Sequence, residues 1–144
     1  MKKQQAYNIV MALLLKQGCY SYTRDSDHPD VPAGSCRYDD HKGNACAIGL
    51  WLRYNGVDLR DLRQYEGKGV DVLMEDSALK RHFILEDESW SRGFWGELQQ
   101  VHDSCARSRH LDFSEKRLVE RAEYLLHAYG INLKGPFNEV PVTR

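Results

Sequence analysis

No stretch of this 144-residue chain comes near the roughly 20 consecutive apolar residues a helix needs to cross a bilayer, so no membrane partner is expected. Charge of one sign is missing too. Twenty Lys and Arg against 21 Asp and Glu leave a formal net charge of −1, which argues against nucleic-acid binding through bulk positive charge. There is no internal repeat and no low-complexity segment. Behind Lys2 and Lys3 the apolar residues are broken by Tyr7, Asn8, Lys16 and Gln17, and an Ala-x-Ala cleavage site is lacking. The opening therefore reads as an amphipathic helix rather than a secretory signal. Glu66-Gly67-Lys68-Gly69 has two glycines but no strand before it and no Gly-Lys-Ser/Thr ending, which excludes a phosphate-binding loop and leaves a turn or hinge. The four cysteines, at 19, 36, 46 and 105, form no C-x-x-C pair. In a reducing cytoplasm they should be thiols, buried small apolar groups or metal ligands rather than disulfides, although Cys36 and Cys46 could oxidise across a hairpin. These absences together suggest a cytoplasmic protein.

What is present suits one domain over residues 1–144: 42% apolar and 28% charged residues are ordinary for a chain that buries a core. Ala6, Ile9, Val10, Leu13 and Leu14 recur at helical intervals within Gln4 to Gln17, and Gly18 stops that helix. Residues 19–34, rich in Ser, Asp and Pro, read as an exposed loop, with a weak strand signal from Tyr20, Tyr22 and Tyr38. A helix from Ala45 should end near Asn55-Gly56, and a charged turn follows at Val57 to Arg63. Val70 to Phe83 reads as a third helix. Glu86 to Arg107 reads as a fourth, capped by Asp87 or Ser89, with Trp90, Phe94, Trp95, Leu98, Val101 and Cys105 on one stripe and Gly93 and Gly96 implying close packing. Asp112-Phe113-Ser114-Glu115 has capping-box spacing for a last helix lined by Leu118, Ala122, Leu125, Leu126 and Tyr129 and ended by Gly130. Residues 132–144 read as an extended tail. The expected fold is mainly α, a compact bundle of four to five helices with one small β-hairpin or loop around residues 35–46.

The chain is most legible from Ser35 to Tyr54. Polar turn residues there give way to the apolar run from Cys46 to Leu52, as where a loop delivers the chain into a buried helix. Asn44 is a fair N-cap, which would set Cys46 in the first turn, where free N–H groups and the helix dipole favour a thiolate.

Cys36-Arg37-Tyr38, then Gly43 and Cys46-Ala47-Ile48-Gly49, the Glu66-Gly67 turn and His102-Asp103 occur in an order that resembles a family of small phage and bacterial proteins. Those proteins are built as an N-terminal helix, a C-x-Y hairpin, a CAIG or CAVG helix start and a later helix carrying a His-Asp pair. The resemblance covers Gln4 to Ser104, while the insertion around Thr23 to Ala33 and the long tail depart from it. It implies a phage or prophage context, hence a host cytoplasm, and no catalytic roles.

Three constellations could carry chemistry. Cys46, His102 and Asp103 contain the groups needed for acyl transfer: a thiol, a base and an orienting carboxylate. However, neighbours on a helix point about 100° apart, so Asn44 or Asp40 would have to orient His102 in place of Asp103. Cys36, Cys46, His102 and Cys105 could hold zinc, with His41 near the first two. Arg92, Arg107, Arg109, His110, Lys116, Arg117 and Arg121, with Trp90 and Trp95, could form a basic aromatic surface; Arg37, Tyr38 and His41 are further binding candidates. The function expected is that of an accessory protein acting by binding a host or phage protein, or by sequestering a small ligand, without a cofactor. A small cysteine hydrolase or transferase and a structural zinc module are the alternatives. Phe83, Ile84 and Phe137 lack an evident home and would suit a homodimer contact.

Overall fold

A computed structural model describes residues 1–23, 35–87, 92–107 and 112–137, without the side chains of Thr23, Ser35, Cys36 and Arg92. The expectations placed on Arg109, His110, Trp90, Ser89, most of the 19–34 loop and the tail beyond 137 lie outside these residues. The protein is mainly helical. Its α-helices are α1 (Lys3–Gln17), α2 (Ala47–Tyr54), α3 (Val70–Glu75), α4 (Arg92–Ala106) and α5 (Glu115–Leu126), with 3-10 segments at Leu59–Tyr65, Lys80–Phe83 and His127–Tyr129. Two short strands, β1 (Tyr22–Thr23) and β2 (Ser35–Cys36), pair antiparallel with Tyr22 opposite Cys36. No hairpin forms across residues 35–46. Cys36 pairs back to Tyr22, and residues 37–46 form a loop closed by Cys46 N–H to Arg37 O (3.1 Å) and Asp40 N–H to Asn44 O (3.0 Å).

α2 sits at the centre. Every residue of it except Arg53 is buried, as expected of a helix apolar on all sides. α1 and α4 both pack against it, and α5 packs against α4. α1 ends at Gly18, whose φ of 73° is the left-handed value that glycine adopts without cost. Its other end is capped from a distance. Asp87 Oδ1 accepts the Lys3 N–H at 2.9 Å, so Asp87 serves α1. α1 also buries Tyr7 and Met11, beyond the predicted stripe; the Tyr7 hydroxyl donates to Leu133 O at 2.6 Å, which docks the start of the tail.

Other boundaries depart from expectation for local reasons. The third helix stops at Glu75. Asp76 is extended (φ −69°, ψ 128°), and its carboxylate turns back to accept the Ala78 N–H at 2.8 Å and the Tyr65 hydroxyl. α5 is capped by Ser114, not Asp112: its Oγ accepts the Arg117 N–H at 3.3 Å. Gly96 has open space where a Cβ would stand and Gly93 is exposed, so neither marks tight packing. Phe83 is 3% exposed and Phe137 packs on Tyr7 with ring centroids 5.7 Å apart; Ile84, 67% exposed, is the one of the three left outside.

Candidate functional site

Arg37, Tyr38, Cys46, Glu66, His102 and Asp103 gather around one buried polar centre between the 37–46 loop, α2 and α4. The loop is pinned at four points. Arg37 N–H donates to Ser21 O (3.0 Å) and Ser21 Oγ donates to Arg37 O (2.7 Å). Gln17, the last residue of α1, meets both backbone groups of Ala45: its Oε1 accepts from the N–H at 3.0 Å and its Nε2 donates to the C=O at 2.9 Å. The Glu66 carboxylate accepts the N–H groups of Tyr38 (3.3 Å) and Asp39 (2.9 Å) and lies 4.0 Å from Arg37 Nε. The fourth point is Gly49. A Cβ there would stand 2.5 Å from Tyr38 O and 2.9 Å from the Ala45 Cβ, so α2 reaches the loop only because this residue has no side chain.

Cys46, not Asn44, stands at the N-cap of α2, with extended backbone angles and no side-chain capping bond. Asn44 is held inside the loop by Asp40, which accepts its N–H and its side-chain amide, each at 2.9 Å. The first turn of α2 is capped instead from α4, where Gln99 Oε1 accepts the Ile48 N–H at 2.9 Å. Gln99 Nε2 in turn donates to the Asp103 carboxylate at 3.2 and 3.3 Å. Cys46 is fully buried and a free thiol, so it forms no bridge to Cys36. Burial pushes the thiol far up and the Asp103 carboxylate adds to that, outweighing the favourable bonds from Gly49 and Gln99. The helix N-terminus therefore does not leave an ionised thiol here.

His102 is wholly buried and its two ring nitrogens are both engaged. Nε2 accepts the Ser21 N–H at 3.0 Å, which sets the proton on Nδ1, and Nδ1 donates to Asp103 Oδ1 at 2.8 Å. The adjacent pair does interact, contrary to the angular argument from helix geometry. In this tautomer the single lone pair of the ring is already used, so His102 has none for a thiol proton or a metal ion. Cys105 faces α5, with Sγ 3.7 Å from Arg117 O. Among the described residues, no three His, Cys, Asp or Glu side chains gather as a metal set.

The proposed binding residues divide. Arg37, Tyr38 and Trp95 are interior, at 2%, 5% and 1% exposure. Tyr38 OH donates to Lys68 O at 2.7 Å and Trp95 Nε1 to Phe83 O at 2.9 Å. His41 and Arg107 are exposed. His41 has a φ of 65°, unusual for a residue with a side chain, and its N–H donates to Asp39 Oδ1. Sequence reasoning missed Ser21, Gln17, Gln99 and Glu66 as members of the centre. The only signal available was Glu66-Gly67 falling in the order of the resemblance. Two open depressions lie elsewhere: one between α4 and α5, lined by Ser104, Cys105, Arg117, Glu120, Arg121 and Tyr124, and one beside Met74, Lys80, Arg81 and Ile84. Comparison with family models, curated proteins and solved structures gives no match.

Proposed function

We propose that this chain is a phage-type accessory protein that acts by binding, inhibiting or sequestering a macromolecular component of a host process such as antiviral defence. One observation carries the reading. The groups that would have to react, Cys46 and His102, are buried in the core, with both ring nitrogens of His102 already bonded there, while arginines such as Arg107 and Arg121 stand exposed. A residue set that knits loop to helix needs no substrate to explain it, and the resemblance to small phage proteins supplies the context.

The rival cysteine enzyme requires a thiol that alkylates quickly. In the folded protein at mildly acidic pH, iodoacetamide should leave Cys46 unmodified while the half-exposed Cys19 reacts first. Rapid labelling of Cys46, read by mass spectrometry, would revive the enzyme. The tagged chain should recover a defined partner from host lysate, and Cys46→Ala should retain it. Failure to recover any partner, with no effect of expression on phage growth, would sink the binding reading. Zinc above about 0.2 per chain by elemental analysis would point instead to a metal module.

A further inference from the structure

The side of α4 turned from the polar centre opens, with α5, onto a depression of ≈ 340 Å³. That is the size of a small-molecule site rather than of a groove for a helix. Its most ordered feature is Arg121. Nε donates to Ser104 Oγ at 2.9 Å, and the guanidinium carbon lies 5.4 Å from the centroid of the Tyr124 ring. Ser104 itself donates to Gln100 O, which turns its lone pairs toward Arg121. The two contacts fix the guanidinium plane, and the terminal nitrogens Nη1 and Nη2 donate to no other described residue. Holding a planar fork still before a ligand arrives removes much of the ordering cost of binding an oxyanion.

The positive field reaches the floor of the pocket. Burial raises the Cys105 thiol, and both Arg117 and Arg121 pull against that rise. Beside Cys105 stands the buried Tyr20 hydroxyl, which interacts with that thiol. Two arginines four apart on one helix, Arg117 and Arg121, therefore line one space. The rim contributes two further chemistries. Tyr124 is 70% exposed and offers an aromatic edge and face, and Glu120 offers a carboxylate acceptor.

We infer that this pocket binds a nucleoside phosphate, with the phosphoryl oxygens on Arg121 and Arg117, the base against Tyr124 and a ribose hydroxyl donating to Glu120. The Glu120 carboxylate on the rim repels excess negative charge, so a monophosphate or phosphodiester fits better than a triphosphate. The inference stands apart from the macromolecular reading above, because titration of purified protein and recovery of a partner fail independently.

Calorimetric titration of the full chain with AMP or GMP tests it, with adenosine, inorganic phosphate and ATP run in parallel. Saturable one-to-one binding of either monophosphate is expected, weakened about tenfold or more by Arg121→Gln. Tyr124→Ala should weaken the nucleotide markedly more than inorganic phosphate, and ATP should bind less well than AMP. Both positions are exposed, so melting curves of the variants should match the parent. No saturation at millimolar nucleotide, or binding indifferent to Arg121→Gln, overturns the proposal. Equal affinity for inorganic phosphate and AMP would reduce the pocket to a free-anion site and overturn the nucleoside assignment. Equal affinity for adenosine would remove the role of the arginines.

Discussion

The two sides of α4 are made from the same kinds of residue and do opposite things. Inward, Gln99, His102 and Asp103 are buried and bonded to one another, to the first turn of α2 and to the backbone of Ser21. Outward, Ser104 and Arg107 face solvent or the α5 pocket, where the polar groups have room for other partners. Their sequence separation is one to eight residues. The difference shows that burial, rather than residue type, decides whether a polar group is part of the frame or free to meet a ligand. A buried donor must be satisfied internally or cost about 1–3 kcal/mol, whereas an exposed one exchanges its water cheaply.

Breaking the inward side should have the largest effect. His102→Ala strands the Ser21 N–H and removes the imidazole that donates to the buried Asp103 carboxylate, so a loss of about 3–5 kcal/mol is expected in urea unfolding. A loss under about 1 kcal/mol would mean the centre is not structural. Gly49→Ala comes next. It forces a Cβ against Tyr38 O, and the shift of α2 should cost about 1–3 kcal/mol, seen as a lower melting temperature.

A finer test sets the two carboxylates of the centre against each other. For Asp39, burial pushes the carboxyl up, but the bond from Arg63 Nε (2.7 Å) and the His41 N–H outweigh it, and the folded value lies below the ordinary one. Its contribution is therefore present above the unfolded value of about 3.9 and is lost as pH falls through the folded value. For Glu66, burial raises the carboxyl more than the Asp39 N–H, the Arg37 charge and the Tyr38 N–H lower it. That contribution is full below about 4.3 and is lost as pH rises through the folded value. Arg63→Gln should remove only the Asp39 side. The stability gap between parent and variant, under about 1 kcal/mol at neutral pH because Arg63 is half-exposed, should close on acidification. A gap that widens in acid would reverse the assignment. The smallest effect belongs to the outward side: Arg121→Gln should move stability by no more than about 0.5 kcal/mol in the same assay.

How far the sequence could be read follows from the range of each interaction. α1 and α5 were legible because their apolar spacing and the glycines at 18 and 130 act within a few residues. The third helix was drawn too long because nothing in Val70 to Phe83 shows that Asp76 bends back to Ala78 and Tyr65. Asn44 looked like the cap of α2 on local preference, yet Asp40 claims its side chain and Gln99, about fifty residues later, supplies the capping oxygen. Trp95 was read both as core and as surface, and the bond from its indole to Phe83 O places it inside.

By itself, then, the sequence determined the helical class, the central apolar run from Cys46 to Leu52 and some of the residues around it, Cys46, His102 and Asp103 among them. Apolar periodicity and turn chemistry are properties of neighbouring residues. Only the tertiary structure decided what those residues do. The tautomer of His102, the state of the Cys46 thiol and the aim of Arg121 depend on groups brought together from distant parts of the chain, and on how much water remains beside them once they meet.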